Sequence, residues 1–339
     1  MPEDSHSGAV GGAWSAPLEQ LQLALRAPVV AQLDELGVLA VLGADAVGFL
    51  NSQLTVDVNA IDREAWQLGA YCSVKGRVAA LFEAWREDDG VRLLLARELI
   101  ESLRARLARY VFRAKVELLD VSTQWAVFGS TGPGIEELLP RAGLKCPGAV
   151  WTSTTQEDGA RLARVPPSTR SGARLMLVAP VAAAARWRGK LAAAAPVDPG
   201  VWWWSKIDAG LPDVVAATQE RFLPQMLNLD VLGGVHFQKG CYPGQEVVAR
   251  SQYLGKLKRR MMHGYAQEAR AGQDVSDASA AGSAVGTVVV AAAGPGGGVD
   301  LLFECPSELA AGAPLQIGRA AGAPIRLGEL PYPMINPTA

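Results

Sequence analysis

Between Trp66 and Val121 the chain alternates apolar runs with polar turns, and this run restricts the fold most. Trp66 to Ser73 reads as a strand and Val78 to Trp85 as a second. Glu87-Asp88-Asp89-Gly90 is a turn, and Val91 to Ala96 returns as a strand. Ile100, Leu103, Leu107 and Val111 then fall at helical spacing, with Arg104, Arg106 and Arg109 left for the wet face. Lys115 to Val121 is a further strand. Strands broken by one helix in this order predict an α+β sandwich, an antiparallel sheet covered by helices on one side.

The flanking sequence extends the pattern. Leu18 to Val30 reads as weakly helical, with Leu18, Leu21 and Leu25 on one face. Val38 to Leu42 is a short strand, and Asp45 is placed to cap a helix from Ala46 to Gln53. Gln124–Gly129, a short helix at Gly134–Arg141, and a hairpin of Val150–Thr155 with Arg161–Val165 suggest a second α+β unit. Arg174–Ala179 and an Ala-rich helix over Val181–Ala195 complete it. Beyond Gly255 the texture changes to short strands with Gly and Pro turns, which predicts a small barrel.

A chain of 339 residues is too long for one core. The expected division is a mobile tail at 1–17, a first α+β domain of 18–123 plus about 201–253, a second of 124–200, and a barrel of 254–335.

Lys+Arg total 32 and Asp+Glu 34, a near-balance that argues against a dedicated nucleic-acid coat. Cys72, Cys146, Cys241 and Cys305 lie far apart, and the histidines are His6, His236 and His263. No short ligand spacing exists for a zinc or iron–sulfur site, nor a disulfide framework, so a reducing cytoplasmic setting is expected. The longest charge-free run, 278–299, is broken by glycine and proline, so no membrane association is expected.

The most informative stretch is Phe222 to Arg250, FLPQMLNLDVLGGVHFQKGCYPGQEVVAR. Lys239-Gly240-Cys241-Tyr242-Pro243-Gly244-Gln245-Glu246 reads as a tight loop entering a helix at Gln245. Gly240 and Gly244 permit positive φ, and Pro243 fixes its own. A cysteine near a helix start with a lysine beside it has two reasons to favour the thiolate, the species that ligates metal or attacks a disulfide. A buried cysteine in a glycine turn is the plainer alternative.

The eight residues from Lys239 to Glu246 resemble the K-G-C-aromatic-x-G-Q-E signature of the YgfZ family, folate-binding proteins related to the T-protein (aminomethyltransferase) of the glycine cleavage system. Asn228-Leu229-Asp230 and Val248-Ala249-Arg250 extend the match. Gly43-Ala44-Asp45-Ala46 with Phe49-Leu50-Asn51-Ser52-Gln53-Leu54-Thr55 and Asp57 resembles the family's amino-terminal motif. Trp202 with Ile207-Asp208-Ala209-Gly210-Leu211-Pro212 resembles its central motif. The resemblance spans about residues 36–335.

It implies a ring of two ferredoxin-like α+β units and a carboxy-terminal antiparallel β-barrel, with tetrahydrofolate or a derivative in the central channel. It implies an accessory factor for iron–sulfur enzymes, including one that thiomethylates tRNA, with those enzymes or cluster-assembly proteins as partners and no direct contact with nucleic acid. Cys241 would be the reactive thiol, with Lys239, Tyr242, Gln245 and Glu246 around it. Asp208, Trp202, Arg250 and Asn51 would serve the folate. A carboxylate can accept two parallel hydrogen bonds from an amino-pyrimidine edge, so an acid at Asp208 is the right type.

The T-proteins resemble this chain near Lys75-Gly76-Arg77-Val78, and their catalytic aspartate falls where this chain has Ala80 and Leu81. That loss disfavours the alternative, a tetrahydrofolate-dependent aminomethyl or C1 transferase, although Glu83 lies close by. Trp202-Trp203-Trp204 reads as stacking surface or core, with core favoured for each ring singly. The basic run Arg250, Lys256, Lys258, Arg259, Arg260 reads as a solvated face, and His236 as a satisfied, partly buried histidine.

Overall fold

The computed structural model describes residues 13–253, 258–279, 283–310, 312–319 and 322–334. Three sheets carry the chain. The first orders its strands Gln67–Cys72, Val78–Glu87, Gly90–Ala96, Leu36–Leu42 and Glu117–Asp120, every neighbour antiparallel. The helix Ile100–Ala108 buries Ile100, Leu103 and Leu107, as its spacing requires. Asp45 does not cap the helix Ala46–Asn51; its carboxylate accepts the Lys115 N–H instead, at 2.7 Å.

The second sheet runs Ala195–Pro196, Val29–Gln32, Trp125–Thr131, Gly172–Pro180, Arg161–Ser168, Thr152–Thr155. Its hairpin of Thr152–Thr155 with Arg161–Ser168 matches the expected turn. Val29–Gln32 overlaps the end of the region read as helix, Leu18 to Val30. The helix stops at Ala24, because Pro28 disfavours helical backbone before it and the β-branched Val29 and Val30 suit a strand.

The carboxy-terminal sheet orders Leu315–Ile317, Asp274–Asp277, Ala284–Ala293, Val299–Pro306, Arg259–Ala266 and Arg326–Gly328. This corrects the expected barrel. The sheet is an open half-barrel whose two edge strands have three residues each and no ladder between them. The segment just before Arg326–Gly328 meets the other edge strand through a bridge of Gln316 with Pro324, with the Ile317 N–H on the Ala323 carbonyl and the Ile325 N–H on the Leu315 carbonyl, each at 2.8 Å.

Where the three sheets meet lies the helix Pro199–Asp208. Asp198 caps it by accepting the Gly200 N–H, and Pro199 sits in the first turn, where its missing N–H costs nothing. Trp202, Trp203 and Trp204 are all buried. The Trp202 ring packs against Gly129 of the second sheet, where a Cβ would overlap it, and Trp204 Nε1 donates to Asp300 of the third sheet at 2.6 Å. Residues 1–12 of the expected tail lie outside the described residues. Trp14 is no tail residue: it bridges to Ala292, and its ring stacks on Trp203 at 4.6 Å. No helix among the described residues is long and apolar enough to cross a membrane.

Candidate functional site

Three motif stretches converge on one loop. Lys239 Nζ donates to the backbone carbonyls of Asn51 and of Leu54, the latter at 2.6 Å. It also sits 5.2 Å from the centre of the Tyr242 ring. Burial pushes the Lys239 ammonium down to about 8. The Asn51 side chain is used locally, accepting the Val58 N–H at 3.0 Å. Thr55 accepts the His236 N–H at 2.8 Å and donates its hydroxyl to the Gly234 carbonyl at 2.6 Å. The amino-terminal motif thus holds the signature loop through its backbone.

The turn after Gln67–Cys72 holds the other side. Gly244 has φ +80° and lies so close to this turn that a Cβ would strike the Ser73 carbonyl and approach Gly76 N to 2.7 Å. Gly76 (φ +71°) faces back, 3.0 Å from a built Cβ to Val247. Gly240 does not share the positive φ expected of it, and it stands in open space. Tyr242 is buried, and burial raises its phenol, while Cys241 beside it is exposed. Gln245 opens the helix Gln245–Tyr253, with its N–H on the Tyr242 carbonyl at 3.1 Å; Glu246 and Arg250 are exposed. Lys239, expected beside the thiol, is committed to carbonyls.

The other thiols are less open. Burial pushes Cys72 and Cys305 up to about 12, and raises the half-buried Cys146. No group of three His, Cys, Asp or Glu among the described residues could hold a metal ion.

The second feature is a cleft at the junction of the sheets, about 540 Å³, lined by Trp14, Trp203, Glu35, Arg97, Glu98, Asp213 and small apolar residues. A separate crevice of about 20 Å³, which shares Ala96, Trp203 and Asp213 with the cleft, is lined by Leu81, Glu83, Trp202 and Lys206. Trp203 Nε1 donates to Glu35, and burial raises the Glu35 carboxyl to about 7. Lys206 pairs with Asp213 at 2.7 Å, and Glu83 accepts Trp66 Nε1 at 2.5 Å. Ala80 and Leu81 are buried in their strand.

Asp208 does not line this cleft. Its carboxylate is 3% exposed and accepts four hydrogen bonds, from Ser168 Oγ at 2.6 Å, Thr169 Oγ1 at 2.7 Å, Arg170 N at 2.9 Å and Arg170 Nε. Burial would raise this carboxyl, but those donors and the Arg170 charge hold it below its ordinary value. Arg170 reaches onward to Asp300 at 2.6 Å.

The structure thus brings Asn51, Lys239 and Tyr242 together, and buries Trp202 at the narrow crevice beside the cleft. Asp208 stands apart, its acceptor capacity in use. The basic run is dispersed: Arg259 pairs with Glu304 and the buried Arg260 with Asp230, Lys258 is exposed, and Lys256 lies outside the described residues. His236 is exposed rather than partly buried. The sequence reading missed Trp14, Glu35, Asp213 and Arg170. Only the Trp14 signal, a large aromatic in a polar leader, was available to it.

The chain is similar to the YgfZ proteins along nearly its whole length. A protein of Pectobacterium carotovorum subsp. carotovorum (strain PC1), named tRNA-modifying protein YgfZ, is 29% identical over 320 residues, 93% of this chain and 94% of its own. The protein of that name from Yersinia pestis (strain Pestoides F) is 29% identical over 230 residues, 68% of each chain. In structure the chain is similar to the glycine cleavage system aminomethyltransferase T from Bartonella henselae, with a TM-score of 0.75 over 93% of this chain and 89% of that one. Their 18% identity makes this a likeness of fold. No established family profile matches the chain. The resemblance read from the YgfZ motifs therefore holds over the chain, and the T-protein-like α+β architecture with it.

Proposed function

We propose that this chain is a folate-binding accessory protein that supports assembly or repair of iron–sulfur enzymes, among them a tRNA-thiomethylating enzyme. It works in the cytoplasm and does no chemistry on tRNA itself. The observation that carries the reading is the presentation of Cys241. The motif residues around it are spent on anchoring the loop, and the thiol alone of the four cysteines is left exposed. Such a thiol can ligate a cluster or exchange with a disulfide on a partner protein. Lys239 and Tyr242 serve as anchors, Gln245 and Glu246 open the helix behind the loop, and Asn51 and Arg250 belong with the loop.

Tetrahydrofolate or a derivative is the proposed ligand of the cleft. Its volume lies in the range of small-molecule sites, and it has aromatic walls in Trp14 and Trp203, carboxylates at Glu35 and Asp213, and Trp202 on the adjoining crevice. Bound folate would supply one-carbon chemistry. The chain's residues would stack on the pterin and accept hydrogen bonds from its amino edge. Asp208 would serve the pterin only by exchanging its present donors, so its proposed part is to hold Arg170.

One observation favours the transferase alternative: Glu83 is a carboxylate on the narrow crevice that adjoins this cleft. Calorimetric titration with reduced folates, with assay of ammonia and methylene-tetrahydrofolate release from an aminomethyl-lipoyl carrier, separates the readings. The accessory reading expects binding without turnover, and loss of iron–sulfur enzyme activity in cells carrying Cys241→Ser. Turnover that disappears in Glu83→Gln would establish the transferase. Full complementation by Cys241→Ser would remove the thiol from the mechanism.

A further inference from the structure

On the helix side of the first sheet lies a separate cavity of about 270 Å³, lined by Tyr71, Ser73, Lys75, Arg106, Arg109 and Tyr110. We propose that this cavity binds the phosphate group of an anionic ligand. The proposal rests on neither the folate reading nor the thiol.

Three cations line a small concavity, and Glu220 is the one acid there. It pairs with Arg106 at 2.6 Å, so the lining remains net positive. Lys75 and Arg109 make no side-chain hydrogen bond or ion pair among the described residues, whereas most arginines around this sheet do: Arg92 with Asp89, Arg104 with Glu101, Arg161 with Glu87. Ser73 Oγ supplies an independent sign. It is buried and has no hydrogen-bond partner, although a buried hydroxyl left unpaired is costly. Tyr71 and Tyr110 bring two phenols to the same place. The Tyr71 phenol is raised by burial and by Tyr110, and lowered by Arg106 and Arg109, which puts both arginines within electrostatic reach of it.

This donor set fits phosphate better than carboxylate. A phosphate presents three oxygens around a tetrahedron and suits several donors from different directions, guanidinium forks included. A carboxylate presents two oxygens in one plane and would leave the hydroxyls unused. The location gives the site a use. Ser73 begins the turn against which Gly244 packs, so an ordered anion here would stiffen the seat of the Cys241 loop.

The test is calorimetric titration of the full chain with inorganic phosphate, with acetate as the planar control. Arg109→Ala, Lys75→Ala and Ser73→Ala are compared, each checked by thermal unfolding, with Arg109→Lys as a second variant that keeps the charge. Saturable phosphate binding is expected, weakened at least about tenfold by Arg109→Ala, with Arg109→Lys intermediate and acetate much weaker. Competition by a nucleoside monophosphate but not by a short oligoribonucleotide would mark the source as a small molecule. Competition by the oligoribonucleotide would mark it as RNA. No saturable binding at millimolar phosphate, equal binding in all variants, or acetate binding as tightly would overturn the proposal.

Discussion

Replacing Gly244 by alanine tests whether the signature loop is held as described. The residue has φ +80°, a region in which an L-residue is disfavoured by roughly 1–2 kcal/mol. The new Cβ would also strike the Ser73 carbonyl and come 2.7 Å from both Gly76 N and Gly76 Cα. These are backbone atoms of a tight turn closed by the Ser73 N–H to Arg77 carbonyl bond at 2.8 Å, so they cannot swing aside like a flexible side chain. The two contributions together come to about 2–4 kcal/mol, large enough to lift the loop from its seat. Gly240→Ala is the internal control. It has no positive φ and nothing near its Cβ, so its effect should stay within about 0.5 kcal/mol. The readout is amide hydrogen exchange at Gln245 and Val248, whose N–H groups bond the Tyr242 and Gly244 carbonyls and lose protection if the loop lifts, together with thermal unfolding. Equal protection in Gly244→Ala and Gly240→Ala would refute the described docking.

Other expectations follow from the same geometry. Lys239→Met should destabilise the loop by roughly 1–3 kcal/mol, because the Asn51 and Leu54 carbonyls lose a charged donor, and thermal unfolding would report it. Timed alkylation with mass mapping should label Cys241 first, then Cys146, with Cys72 and Cys305 last because burial hides them and raises their thiols to about 12. Glu35 keeps its proton in the folded chain up to about pH 7 and loses it near 4.5 when unfolded. Its contribution is thus complete below pH 4.5 and lost as pH rises through 7, and Glu35→Gln should flatten urea stability over that window by about 3 kcal/mol. Arg170→Ala should cost about 3–5 kcal/mol by leaving Asp208 and Asp300 buried without their shared cation, measured by urea unfolding.

Much of the first sheet was legible because its strands are apolar runs set off by strong turn residues, and because the helix Ile100–Ala108 shows one apolar stripe. The helix Pro199–Asp208 was not. It is buried nearly all round, so Val201, three tryptophans and Ile207 show no amphipathic period, and Pro199–Gly200 reads as a break although proline suits a first turn. The strand Val29–Gln32 was hidden because its partners, Trp125–Thr131 and Ala195–Pro196, lie far away in sequence. At the site, the sequence identified the segments that meet but not what their side chains do there. Lys239 stands two residues from Cys241 and suggests a cation for its thiolate. The unpaired carbonyls of Asn51 and Leu54, nearly 190 residues upstream, took that cation, and nothing local in the sequence announces them.

Asp208 shows the same limit from the other direction. An acid in Ile-Asp-Ala-Gly is the right type for an amino-pyrimidine, yet the fold has already supplied its donors. Ser168, Thr169 and Arg170 come from the end of a second-sheet strand, and Arg170 continues to Asp300 in the third sheet while its guanidinium lies 4.9 Å from the Trp204 ring centre. Trp204 closes the circuit by donating to the same Asp300. One guanidinium therefore joins the central helix to two sheets, and both of its carboxylates are almost completely buried. A ligand that took Asp208 would have to replace donors from three residues and release a cation that also serves Asp300, a larger exchange than at the cleft, where Glu35 holds Trp203 Nε1 and Asp213 holds Lys206 and the Val214 N–H. Asp208 thus belongs to the joint between the central helix and two of the sheets.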